Sequence, residues 1–229
     1  QSQMRAARQE GRSEAIVAAY GDQSFAVLAF RDMSQERDQG YFSEGIAEQM
    51  LNLLTRVQGL RVTSRASAFS FAGKGVDIPT IARKLNVSYV LDGSVRKAGD
   101  QVRISAQLID GRSDTQLWSQ TFDRPLKDIF AIQDEIAATV VEQLKIELHG
   151  APPTVRKTKP EALRLYLQSL EAYRKHTPAS YEKSSALARE ALEIDPTYVD
   201  AWNMLSVVYS SLAGLGVLAD AEGYPQAIE

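Results

Sequence analysis

The stretch Tyr89-Val90-Leu91-Asp92-Gly93-Ser94-Val95-Arg96-Lys97-Ala98-Gly99-Asp100-Gln101-Val102-Arg103-Ile104-Ser105-Ala106-Gln107-Leu108-Ile109-Asp110 reads as a β-hairpin. Leu91, Gly93, Val95 and Lys97 alternate with Asp92, Ser94 and Arg96, and the return alternates Val102, Ile104, Ala106 and Leu108 with Arg103, Ser105 and Gln107. A two-residue Gly99-Asp100 loop sets the register. It pairs Ala98 with Gln101, Val95 with Ile104 and Leu91 with Leu108 on a buried face, and places Arg96 directly opposite Arg103 on the other. Opposed like charges on a sheet are unfavourable by up to roughly 1 kcal/mol unless something relieves them. Two readings of the pair stand: a contact site for an anion or partner, or two long side chains that lean apart to meet Asp92, a helix carboxylate or water.

Outward from the hairpin, Phe25 to Phe30 reads as a buried strand and Arg31 to Gly40 as a loop. Ser43 is the expected N-cap of a helix carrying Ile46, Met50, Leu53, Leu54 and Val57, stopped by Gly59. Tyr41 and Phe42, just ahead of it, read as a hydrophobic staple, with partner docking as the alternative. Leu60 to Ser64 is a second strand, Ala66 to Gly75 an irregular connection, and Asp77 caps a short helix ended by Asn86. After the hairpin, the turn Gly111 to Asp114 leads to a third meander strand with Trp118 and Phe122 on its core face. A long helix follows Asp128, with Ile129, Ile132, Ile136, Val140, Leu144 and Leu148 in one stripe. The pattern predicts an α/β (α+β) fold, a two-layer mixed sheet with packed helices, followed by an all-α segment. The expected boundaries are a linker over 1–21, the sheet domain over 22–149, a Pro-containing linker over 150–159 and helices over 160–229.

Composition narrows the functions. The 229 residues are 44% hydrophobic and 24% charged, ordinary for a globular chain, with 26 basic and 29 acidic residues for a net charge of -3. Without a basic excess, nucleic acid is not an expected partner. The absence of cysteine removes disulfides, thiolate nucleophiles and zinc ribbons. No apolar run approaches the ~18 residues of a membrane span. A start at Gln1 without a signal pattern reads as an internal fragment of a longer protein.

Catalytic constellations are not evident. His149 lies at a helix end and His176 in a Thr-Pro turn, and neither has a matching nucleophile and carboxylate. Gly73-Lys74-Gly75 lacks the spacing of a phosphate loop and reads as a turn. Asp92, Asp110, Asp123 and Asp134 are scattered and form no acid–base pair. No metal-ligand spacing occurs, so no cofactor is expected.

The helical tail resembles the tetratricopeptide repeat. Trp202, Leu205, Ser206 and Tyr209 fit W-x2-L-G-x2-Y with Ser in place of Gly, while Ala191 and Pro196 fit the end of the preceding repeat of about 34 residues. In that pattern Trp202 and Tyr209 wedge between helices. Ala188 departs from it, replacing a large aromatic; Lys175 to Ser180 looks like an insertion; and the second repeat is unfinished at Glu229, so continuation is expected.

Phe25-Ala26-Val27-Leu28-Ala29-Phe30, Tyr41 to Ile46, Arg61 to Arg65, Tyr89 to Lys97 with Val102-Arg103-Ile104, Gln107 to Asp110 and Leu117-Trp118 resemble the TolB amino-terminal-like domain over about residues 22 to 148. One departure is Ala29, where relatives commonly carry Pro. The resemblance implies a non-catalytic protein-interaction or sensory module, periplasmic, in a bacterial protein anchored by a membrane span outside this chain. It implies a cytoplasmic output, either a class III adenylate or guanylate cyclase or a winged-helix DNA-binding domain. The expected partner is a protein or peptide held by the repeat, and a homodimer is left open. The alternatives are the regulatory part of a cyclase and a structural envelope component.

Overall fold

The computed structural model describes residues 23–146 and 153–217. It divides into two compact units, Gln1–Val155 and Arg156–Glu229. The described part of the first begins with β1 (Ser24–Val27), β2 (Arg31–Asp32), α1 (Gly40–Leu54), β3 (Arg61–Val62), α2 (Arg65–Phe69) and α3 (Ile78–Leu85). It continues with β4 (Tyr89–Ala98), β5 (Gln101–Asp110), β6 (Thr115–Pro125), a short 3-10 turn and α4 (Ile129–Gln143). The sheet runs β3-β1-β4-β5-β6, with β2 also on β4. β1 pairs in parallel with β3 and β4, β2 pairs in parallel with β4, and β4, β5 and β6 form an antiparallel meander.

The mixed α/β fold and the hairpin register are as expected: Ala98 faces Gln101, Val95 faces Ile104, Leu91 faces Leu108 and Arg96 faces Arg103. Gly99, at φ 56°, takes the first turn position that only glycine occupies without strain. One sheet face buries Leu91, Val95, Ile104, Leu108 and Phe122, and α1 and α4 bury Ile46, Met50, Leu53, Ile129, Ile132 and Ile136. The opposite face is covered by α3 only around Val90, where Ile81 and Ala82 pack with Ala26 and Leu28. Asp77 caps α3 as expected, accepting from the Thr80 amide at 2.8 Å, and Asn86 ends it at φ 55°.

Several local expectations are corrected. The helix expected from Ser43 begins at Gly40; Ser43 lies inside it, its hydroxyl donating to the Gln39 carbonyl at 3.2 Å. Its start is fixed instead by Asp32, whose carboxylate accepts from the Ser34 and Gln39 amides, both at 2.8 Å. Tyr41 and Phe42 therefore belong to the helix, and Phe42 is core. The helix ends at Leu54, before Gly59, though Val57 beyond it is still buried. Arg31 and Asp32, expected in a loop, form β2, because the Phe25–Phe30 strand breaks after Val27 and rejoins the same edge of β4 at Ser94. Residues 66 to 75 are not wholly irregular: Ser64 caps α2 by accepting from the Ser67 amide. The α4 stripe stops at Gln143; Leu148 and His149 lie outside the described residues.

Burial alone would raise the Asp32 carboxyl pKa, and the Ser34 and Gln39 amides outweigh it, holding it below the ordinary carboxylate value. Asn in its place keeps one acceptor of two. Asp32→Asn is expected to cost about 1–2 kcal/mol at neutral pH. A depressed folded pKa gives stability that is present above the unfolded carboxylate value of about 4 and is lost as pH falls through the folded one. The gap between wild type and variant, read from urea midpoints, is therefore constant from neutral pH to about pH 5 and closes below about pH 4.

The second unit holds α5 (Pro160–Tyr173), α6 (Pro178–Ile194) and α7 (Val199–Gly214). Thr177 and Ser180 form a capping box that starts α6 directly after the His176 turn. Ser169 donates to the Ser184 carbonyl at 2.7 Å, a small-residue contact that brings α5 and α6 close. Tyr198 is buried, its ring edge-on to Tyr166 at 5.3 Å, and burial pushes its phenol pKa up.

Candidate functional site

The sheet face opposite α1 and α4 carries a polar surface built by alternation. Asp92, Ser94 and Arg96 of β4 stand beside Arg103, Ser105 and Gln107 of β5, then Thr121 and Asp123 of β6. The expected Arg96 and Arg103 opposition is present, and its relief comes from elsewhere than Asp92. Arg103 Nε donates to Asp123 at 2.9 Å, on the strand beyond, and Arg96 Nε donates to the Met33 carbonyl at 3.0 Å. Asp92 instead accepts from Gln107 at 2.9 Å and Arg31 at 3.3 Å, and Ser105 meets Thr121 at 3.0 Å. The like-charge cost is thus offset by a carboxylate and a carbonyl on opposite sides.

Arg103 and Asp123 are each half exposed, and such pairs contribute about 0–1 kcal/mol. In Arg103→Glu the new carboxylate opposes Asp123 on one side and faces Arg96 on the other, a repulsion and an attraction of similar size. The expected change in thermal stability is below about 1 kcal/mol by calorimetry. If this face contacts a partner, affinity falls while stability does not, and unchanged binding removes the arginine pair from the interface.

Beside this face lies a cavity of about 300 Å³. It opens where the strand breaks at Leu28 and Ala29, and its apolar wall is Leu28, Phe71, Val76, Ile78 and Ile81. The space exists because Ala29, Ala68 and Ala72 contribute only methyl groups and Gly73 and Gly75 contribute none. Those two glycines, at φ 69° and 61°, turn the connection as expected from Gly73-Lys74-Gly75. Arg31 and Asp92 supply the polar rim. The cavity is not legible in the sequence, since its residues come from three separated stretches, 28–31, 68–81 and Asp92, and the strand break carries no glycine or proline.

In the helical unit, Ala191, Leu205 and Tyr209 are buried and Pro196 follows the end of α6. Tyr209 receives a hydrogen bond from Arg189 of the preceding helix. Trp202 corrects the expectation of a wedge: it is 42% exposed, on the outer face of α7, and its indole N–H donates to the Pro196 carbonyl at 2.9 Å. The opposite face of α7, with Ala201, Met204, Leu205 and Val208, is buried in the core that α7 shares with α5 and α6. His176 Nδ1 lies 3.1 Å from the Tyr181 hydroxyl, a contact within the helical hairpin.

Among the described residues no cluster of His, Cys, Asp or Glu could hold a metal ion, and no helix is long and apolar enough to cross a membrane. The fold and its polar face and cavity define an α/β domain joined in sequence to a helical unit. The chain belongs to the family described as HilA/YgeH-like transcriptional regulator, second domain, which matches residues 21–139. It is also 40% identical over 189 residues to a Rhizobium meliloti (strain 1021) protein named "Putative adenylate cyclase 3", covering 81% of this chain and 32% of that protein. The chain thus spans about a third of that relative's length. Similar solved structures include TolB from Acinetobacter baumannii, at 16% identity over 53% of this chain and 28% of that one, TM-score 0.41. Lipoprotein GNA1162 from Neisseria meningitidis is similar at 20% identity, over 54% of this chain and 96% of that one, TM-score 0.39. The LpoB C-terminal domain from Salmonella enterica is similar at 15% identity, over 49% of this chain and 92% of that one, TM-score 0.37.

Proposed function

We propose that this chain is the non-catalytic binding or sensory part of a bacterial signalling protein, whose output chemistry lies in other segments. One observation carries the reading: the domain recurs both in a transcriptional-regulator family and in a relative named for cyclase activity. A module shared between two different outputs is neither output. The 189 aligned residues exceed the 155 of the first unit, so the likeness to the cyclase-named protein extends into the helices. This supports treating the two units as one inherited module.

In this reading the helices are tetratricopeptide-like, the partner is a protein or peptide, and the module is periplasmic in a membrane-anchored protein. The repeat is supported by buried Ala191, Leu205 and Tyr209 at pattern positions, and Trp202 is the position that departs. A second reading, the regulatory portion of an adenylate cyclase, is favoured by the cyclase-named relative alone.

Two measurements test this. Alkaline phosphatase joined after residue 217 of the protein in its native context is expected to be active, and an inactive fusion with an active cytoplasmic reporter contradicts the periplasmic placement. The purified chain with ATP and magnesium is expected to form no cyclic nucleotide, and turnover above a heat-treated control contradicts the non-catalytic assignment.

A further inference from the structure

We infer that the cavity between Leu28 and Val76 is a ligand site for a small apolar molecule bearing a carboxylate. The inference rests on the reading of this chain as a binding module and names a ligand class for its first unit. At about 300 Å³ the cavity is at the lower end of small-molecule sites. At the ~30 Å³ that a water occupies, it accommodates roughly ten non-hydrogen atoms. Its wall, dominated by Leu28, Phe71, Val76, Ile78 and Ile81, selects an apolar body.

The charge at the mouth selects the head group. Asp92 lines the cavity, but its carboxylate already accepts from Gln107 and Arg31, and its side chain is only 15% exposed. Asp77, beside Val76, is engaged in capping α3. Arg31 is the reverse case. Its side chain is 67% exposed and makes a single bond, 3.3 Å long, to Asp92, which leaves four of five guanidinium donors for an incoming oxygen pair. Arg31 is the one cation among the lining residues; Lys84 Nζ, outside the lining, stands 5.9 Å over the ring of Phe71. Both acids have oxygens engaged and Arg31 keeps open donors, so the site favours an anion over an amine.

The cavity is also placed to report occupancy. It straddles the break between β1 and β2, and β2 leads to Asp32, which organises the start of α1. A ligand that fixes Arg31 therefore acts on the junction from which α1 begins.

The test is an NMR titration of the whole chain at pH 7 with 3-phenylpropionate, 3-phenylpropanol and 3-phenylpropylamine. The acid is expected to bind saturably with a dissociation constant between about 10 µM and 1 mM. Shifts should concentrate at Leu28 to Arg31 and Phe71 to Val76, with the alcohol and the amine at least about tenfold weaker, the scale of one lost charge-assisted contact. Arg31→Gln should remove that preference while the alcohol binds as before, and Ala29→Leu should weaken both. Binding of alcohol or amine as tightly as the acid overturns the inference, as does the absence of saturable shifts up to about 10 mM. A tripeptide ending in Phe, with free or amidated carboxyl, assigns the source: tighter binding of the free peptide points to a chain terminus, tighter binding of phenylpropionate to a free acid, and each supports the carboxylate site. Spectra of both variants should keep their dispersion elsewhere. If Arg31→Gln abolishes acid binding but not partner capture, the protein-binding role stands independently of the pocket.

Discussion

Phe122→Ala is expected to lower the stability of the first unit by about 4 kcal/mol, in the range of Phe-to-Ala changes at closed core sites. Phe122 is the one fully buried residue of the 11-residue edge strand β6, and it faces Ile104 across the ladder. Trp118 lies tilted against it at 6.5 Å and Arg124 stands 5.6 Å over its ring. No other β6 side chain holds the strand to the core to the same extent, so the cavity left by truncation has little to collapse into it. The chain has two tryptophans, Trp118 in the first unit and Trp202 in the second. In a Trp202→Phe background, urea unfolding followed by Trp118 fluorescence reads the first unit alone. A shift below about 1 kcal/mol would mean that β6 is held by its backbone ladder instead.

Gly93→Ala is expected to cost about 3 kcal/mol despite adding one methyl group. A Cβ at Gly93 would stand 2.6 Å from the Ser105 carbonyl oxygen and 3.0 Å from two carbons of the Phe30 ring. Ser105 belongs to the partner strand, so its oxygen moves only if the β4–β5 ladder opens, and Phe30 is itself buried. Both neighbours are fixed, which places the change at the upper end of overpacking costs. Gly99→Ala gives a useful contrast: nothing stands within 4 Å of its Cβ, and its cost arises only from φ 56°. That cost should be about 1 kcal/mol, and the same fluorescence measurement orders the two.

The hairpin was legible because three signals agree on one register: period-two alternation, a Gly-Asp loop and a single apolar face. Where signals are short or cooperative, legibility fails. β2 is two residues long and exists only because β4 extends past the end of β1, which local sequence cannot report. The start of α1 is set by a carboxylate eight residues ahead of Gly40, so the nearby Ser43 was the wrong signal. Asp123 became the partner of Arg103 through a β5–β6 register with an irregularity between Leu108 and Ile109, and no alternation pattern fixes such a shift. The candidate site was half visible. The arginine opposition follows from hairpin arithmetic, whereas the cavity depends on small residues from separate segments and on a strand break.

In the proposed function these residues act by binding, and the helical unit carries the protein contact. The direct test is capture from envelope extract by the tagged chain beside a version ending at Val155, the limit of the first compact unit. The prediction is one or more proteins recovered by the whole chain, lost with the shortened one, and displaced by excess untagged whole chain. Equal recovery by both versions would contradict it.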